Sequence, residues 1–309
     1  MPDERPILTL AHSADADDVF MWWPITGMID PNDYTRVLRP PVIDTGRFRF
    51  RALPEDIAVL NRRAESHADL EITAISFAAA ARVADRYAVT SCGSSFGIGF
   101  GPKLVAPVSF PSLTLEQLAL RKPRIAVPGL ETSAYLALSL ILGRSGFTAV
   151  PMPFDRIAQS VVEGASDLGL LIHEAQITYA SMGLKLVADV GAWWTRRTDL
   201  PMPLGANAIR LNLEDRFGPG TLVELTRTLK ASLDYALAHR EQSRDYARGF
   251  SPLKADAELE TYLKMYVNVY TVEARPKGLL AVRQLIREGV EQGICPNRGE
   301  IRMIGPDGV

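Results

Sequence analysis

Cysteine, clustered charge and long apolar runs are all scarce in this chain, and each scarcity closes off a class of protein. Two cysteines in 309 residues, Cys92 and Cys295, make neither a disulfide framework nor a metal-ligand spacing. Cys92 stands among small apolar residues, the setting of a buried reduced thiol rather than of a nucleophile. Lys and Arg number 34 against 36 Asp and Glu, a formal charge of -2, with no block of like charges. A nucleic-acid binder would carry a basic surplus or stripe, so nucleic acid is not expected as a partner. No apolar run approaches the roughly 18 residues of a membrane-spanning helix. The N-terminus runs straight into the strand-like Ile7–Leu10, without the charged and apolar regions of a secretory signal, and the expected location is the cytoplasm. What the chain does have is a composition 47% hydrophobic and 23% charged, ample for a folded core. Its length suits one large or two ordinary domains.

Strand and helix patterns alternate from the start. Ile7–Ala11 reads as a strand, His12–Asp18 as a polar turn, and Val19-Phe-Met-Trp-Trp as the start of a helix capped by Asp17 or Asp18. Arg47–Ala52 alternates as a second strand, and Pro54 takes the favoured first-turn place of a helix over Glu55–Ala64. Leu70–Ile75 is a strand ending on Ser76, Ala78–Ala84 a small-residue helix, and Tyr87–Ser91 a further strand. This is the signature of a layered α/β domain. Gly93–Gly101 carries four glycines but lacks the Gly-Lys-Ser/Thr ending of a phosphate loop, and no helix follows. It reads as backbone lining a cleft, where glycine permits close approach.

A second α/β run follows. Ile125–Val127 is a strand, Thr132 starts a helix with Tyr135, Leu138 and Leu142 on one face, Phe147–Pro151 is a strand, and Phe154–Val162 a helix. Leu184–Val190 is another strand, followed by Trp193-Trp194, read as core. The proline-rich Leu200–Asn207 reads as a crossing between domains. Beyond Ala208–Leu211 only helices are expected, over Thr221–Glu241, Glu258–Val267 and Leu279–Gly289. With a first crossing near residues 102–111, the expected fold is α/β and two-lobed. One lobe is discontinuous, 1–106 with 204–309, and the other is 107–203. The ligand cleft lies between them, and the C-terminal portion is helical.

Within the second run, Leu168–Ile172 is a short buried strand that ends on His173. In open α/β sheets ligands bind beyond the carboxyl ends of strands, which places this imidazole where it can do chemistry. Position alone favours a histidine that caps a loop or is satisfied in a core.

The motifs themselves carry a family resemblance. His12-Ser-Ala-Asp-Ala-Asp-Asp-Val-Phe-Met21 resembles the opening of the 1,4-dihydroxy-6-naphthoate synthases. So do Thr73–Ser76 with Ala84–Tyr87, Ser91–Ser95, Gly99–Pro102, Pro128–Tyr135, Trp193-Trp194, Leu200–Gly205 and Met265–Asn268. The most characteristic stretch is Leu171-Ile-His-Glu-Ala-Gln-Ile-Thr-Tyr179. The likeness runs in order through nearly the whole chain. Ala14 and Ala16 stand where that family commonly has prolines, and Val269 where an aspartate is common.

This resemblance implies a fold similar to type II periplasmic binding proteins. It implies a lyase of the futalosine route to menaquinone, converting cyclic dehypoxanthinyl futalosine to 1,4-dihydroxy-6-naphthoate with release of dihydroxyacetone. No metal or organic cofactor is implied. The partner expected is a small-molecule substrate, with no membrane and a homodimer left open. His173 corresponds to the family's proposed general base. Thr132 and Ser133, at a helix start, are expected to hold either the enolate or the ring carboxylate of the substrate. Ser76 is expected to bond substrate from the other lobe. Asp15, with Asp17 and Asp18, could suggest a Mg²⁺ site, but capping and cleft-lining roles are preferred, Asp15 on the substrate. Two rivals share the fold: a non-catalytic binding protein for a small organic anion, and the sister chorismate dehydratase. An effector domain of a transcription factor would need an attached DNA-binding module.

Overall fold

The computed structural model describes residues 3–296 and 298–308. Two mixed sheets organise them, each with helices packed on its faces. In the first sheet the strand Ile7–His12 runs parallel to Arg49–Pro54 on one side and Ile72–Ser76 on the other. Met202–Arg210 then pairs antiparallel with Ile72–Ser76, with Tyr87–Thr90 and with Ser95–Gly97. The second sheet runs in the order Thr148–Pro151, Arg124–Val127, Leu168–Leu171, Lys103–Pro107, Leu184–Asp189. Its first three strands are parallel and its last two pairings antiparallel.

Several elements differ from expectation for local reasons. Pro54 ends a strand instead of opening a helix. The helix Ile57–Ser66 starts later because the Asp56 carboxylate accepts from the Ala58 N–H at 2.7 Å and caps it. Leu200–Asn207 is no free crossing: most of it belongs to Met202–Arg210, whose backbone groups find partners on both sides. The C-terminal region is not all helix, since Met303–Ile304 pairs parallel with Tyr87–Thr90 and closes that sheet edge. The helix expected over Thr221–Glu241 breaks at His239 into Thr221–Ala238 and Arg240–Ala247. A hairpin of Met28–Asp30 with Asp33–Arg39 went unread. The second sheet also takes in Lys103–Pro107, so the boundary between sheets falls before Lys103 rather than after residue 106.

The helix Ala16–Thr26 explains its own unusual sequence. All of its residues are buried, because it lies between the first sheet and the C-terminal helices Thr221–Ala238 and Arg240–Ala247. A helix covered all round is hydrophobic all round, which accounts for Phe20-Met-Trp-Trp23. The chain passes between the sheets twice, and the two passages touch. Val190 N–H donates to the Pro102 carbonyl at 2.9 Å, and a Cβ on Gly191 would sit 2.0 Å from the Phe100 oxygen. Only glycine lets these backbones lie so close. The two lobes are thus joined by two abutting passages, the irregular segment Phe100–Pro102 and the start of the helix Val190–Thr198, the arrangement of a hinge.

Candidate active site

Between the lobes lies a partly enclosed cleft with a cavity of about 100 Å³. From the first lobe it takes Ser13, Asp15, Ser76 and Tyr266; from the second, Thr132, Ser133, His173 and Gln176. All of the residues expected from sequence therefore reach one cleft. Ser13, Gln176 and Tyr266 were missed, although all three stand inside recognised motifs. Their side chains matter only once the lobes meet.

His173 follows the strand Leu168–Leu171, whose leucines are fully buried. Its φ of 51° is left-handed, an uncommon conformation for a residue with a Cβ, and it turns the imidazole out of the sheet toward the other lobe. There Nδ1 meets Asp15 Oδ2 at 2.5 Å, while Nε2 is buried without a protein partner. The ring also packs on Phe154, centroids 4.6 Å apart. Asp15 precedes the helix Ala16–Thr26 but makes no side-chain cap to it; its Oδ2 meets His173 and its Oδ1 is buried without a protein partner. Nor do Asp17 or Asp18 cap that helix as expected. Both lie in its first turn, Asp17 accepting from Tyr262 Oη at 2.7 Å and Asp18 from the Ser13 N–H at 2.7 Å.

Asp15, Asp17, Asp18 and Glu174 are all buried around the His173 imidazole, and the buried His12 also feels the Asp15 charge. The electrostatics follow. Burial by itself disfavours the imidazolium of His173, but the Asp15 charge and hydrogen bond, with Glu174 and Asp17 behind them, outweigh it and push the pKa up to about 10. Burial would raise Asp15, yet the His173 charge and hydrogen bond hold it at about 2. Burial and the Asp15 charge push Asp18 up to about 7, and burial with both neighbouring aspartates lifts Asp17 well above the carboxylate range. Among the described residues, Asp15, Asp17 and His173 could also present one ligand atom each to a metal, within 4.8 Å of one another. Here those groups bond instead to each other and to Tyr262.

The remaining site groups divide by what they leave free. Ser76 N–H donates to Asn61 Oδ1 at 2.9 Å and its Oγ accepts from Asn61 Nδ2 at 3.0 Å, which leaves the hydroxyl proton to donate. Thr132 Oγ1 caps its helix, accepting from Tyr135 N–H and donating to the Gly129 carbonyl. Ser133 Oγ donates to the Leu204 carbonyl at 2.7 Å, a bond between lobes, and accepts from Ala78 N–H at 3.3 Å. Both hydroxyls are engaged, so an anion here would meet the backbone N–H groups at the start of the helix Ser133–Leu142.

A family model for menaquinone biosynthesis matches residues 8–291. The 1,4-dihydroxy-6-naphthoate synthase of Thermus thermophilus is 39% identical over 241 residues, 78% of this chain and 84% of that one. The corresponding synthase of Streptomyces coelicolor is 32% identical over 306 residues, 97% and 96% of the two chains. The chain belongs to the 1,4-dihydroxy-6-naphthoate synthase family. It is an enzyme of menaquinone biosynthesis, as the resemblance implied. A crystal structure of an Archaeoglobus fulgidus protein, 35% identical, superposes with a TM-score of 0.79 and covers 93% of this chain and 98% of its own. The alkanesulfonate-binding protein of Xanthomonas axonopodis pv. citri, 12% identical, reaches 0.67 over 98% and 99% of the chains. That likeness shows the fold alone: two lobes of the periplasmic-binding-protein type. No helix among the described residues is long and apolar enough to cross a membrane.

Val269, the departure from the family's aspartate, is 69% exposed at the start of the short helix Val269–Val272. The missing carboxylate belongs to the surface, outside both core and cleft.

Proposed function

We propose that this enzyme converts cyclic dehypoxanthinyl futalosine to 1,4-dihydroxy-6-naphthoate and dihydroxyacetone, with His173 as general base. The observation that carries the reading is the division of labour on one ring. Nδ1 is held by Asp15, and Nε2 is buried, unpartnered and on the cleft. A carboxylate on Nδ1 sets the tautomer with a free Nε2 lone pair and stabilises the imidazolium that forms, the logic of hydrolase triads. Nε2 then takes the proton beside the substrate ketone. The bond to the sugar-derived fragment breaks as the second ring becomes aromatic. General-base action of this kind supplies about 10²–10⁴-fold; the aromatisation drive belongs to the substrate.

Orientation follows from charge. Asp15 already holds its cation, His173, and offers a substrate carboxylate no partner, whereas the free backbone N–H groups at the start of the helix Ser133–Leu142 attract one. The ring carboxylate therefore goes to the Thr132–Ala134 end, and the reacting carbon to His173. Ser76 donates its free hydroxyl proton to a substrate oxygen. The test is incubation with cyclic dehypoxanthinyl futalosine and mass analysis of the products. Binding without conversion would turn the reading into that of a receptor. His173→Asn is expected to lose turnover while still binding substrate, and wild-type turnover in that variant would rule the base out.

A further inference from the structure

The turn after His173 does more than leave the cleft. Its next residues reach into the opposite lobe one after another. Glu174, only 3% exposed, accepts from Ser251 Oγ at 3.0 Å. Gln176, also buried, donates through Nε2 to Tyr266 Oη. Ile177 packs against the core cluster of the first lobe, which includes Leu253 and Tyr266. With His173 on Asp15, four positions in one short turn of the second lobe are anchored in the first. The strand behind them ends at Leu171, and His173 itself holds a left-handed backbone. Within the second lobe the imidazole packs on Phe154 and the His173 carbonyl accepts from the Gln176 N–H, while the anchors on its C-terminal side lie across the cleft.

We propose that Glu174 and Gln176 are positioning residues for catalysis: they latch the His173–Ile177 turn onto Ser251 and Tyr266, and so seat His173 against Asp15 only when the lobes are together. This rests on the reading of His173 as base, and it adds the means by which the base is placed. Glu174 and Ser251 are the informative pair, because neither lines the cleft. Their effect on turnover does not pass through substrate contact; Glu174 also acts on His173 through its charge, so Ser251→Ala is the variant that reads position by itself.

The chain has four histidines, so a proton NMR spectrum of the imidazole N–H region is sparse enough to follow the His173–Asp15 hydrogen bond, assigned by its loss in His173→Asn. Ser251→Ala and Glu174→Ala are each expected to lower kcat about tenfold with KM changed far less, as a misplaced catalytic group does, and to broaden or abolish that signal. The double variant should lose no more than the worse single, since both remove one contact. Glu174→Gln, whose amide oxygen still accepts from Ser251, should recover most of the activity. Ser251→Ala removes a single hydroxyl and keeps the test available if Glu174→Ala fails to fold. Wild-type kcat with an unchanged signal in Ser251→Ala would overturn the latch. If His173→Asn retained turnover, the base assignment would fall instead, while a shifted signal in Ser251→Ala would still report the positioning.

Discussion

His173 and Asp15 form a pair in which each side chain makes the other's charged form the stable one. Their contact at 2.5 Å offsets much of the cost of burying them, and no other cation lies among the buried residues of the cluster. For a base, this has a kinetic signature. A pKa pushed up to about 10 keeps His173 largely protonated at neutral pH. Turnover limited by the neutral imidazole should then rise with pH through the alkaline range. Replacing Asp15 by Asn removes the charge that raises the pKa and leaves burial, which lowers it. The rising limb of the rate profile should move to lower pH, with maximal kcat down about 10²-fold or more as tautomer control is lost. A rate profile in Asp15→Asn that superimposes on wild type would contradict the role given to Asp15. The histidine was legible in sequence because a buried strand ends there. Its partner was not, because Asp15 lies in the other lobe and was read as a substrate contact.

At the scale of elements, the two passages between sheets matter most. Gly101 and Gly191 face each other so closely that a Cβ on Gly101 would lie 2.7 Å from the Gly191 Cα. Gly191→Ala places its methyl group against the Phe100 carbonyl, backbone that cannot swing away as a side chain can. Separating the passages should destabilise the protein by about 1–3 kcal/mol, the usual cost of overpacking, and alter domain closure. Chemical denaturation of the variant checks the first expectation; an unchanged midpoint would mean that the passages are looser than their geometry indicates. The glycine-rich Gly93–Gly101 was read correctly as cleft-lining backbone, with Gly93 and Ser95 on the cleft wall. Its companion at Gly191 carried no signal, since a lone glycine beside a tryptophan pair has no local pattern.

For the whole molecule, the Asp15–His173 pair also ties the lobes, so stability should depend on pH in a specific sense. His173 has its folded pKa raised. Its contribution is fully present below the unfolded value near 6.5 and is lost as pH rises through about 10. Asp15 has its folded pKa lowered. Its contribution is present above the usual carboxylate range and is lost as pH falls toward about 2. Between pH 7 and 10 the melting temperature of wild type should fall more than that of His173→Asn, by on the order of 2–4 °C. Calorimetry of the two proteins measures the difference, and parallel curves would mean the pair gives no net stability across the cleft.

Much was decided by sequence alone. Alternating strand and helix patterns, two crossings and the motifs from His12 to Asn268 were enough for the α/β class, the two lobes, the family and the residues that line the cleft. Each of these is written in contiguous stretches, where side-chain period and turn chemistry are local. Tertiary structure decided the rest: the Asp15 partner of His173, the latch through Glu174 and Gln176, the commitment of the Thr132 and Ser133 hydroxyls, and the closing strand Met303–Ile304. All but the Thr132 cap join residues far apart in the chain, and that cap draws meaning from the cleft it lines. An isolated carboxylate or hydroxyl looks the same in sequence whether it caps a helix, meets water or grips the opposite lobe; only the folded backbone brings its partner within reach.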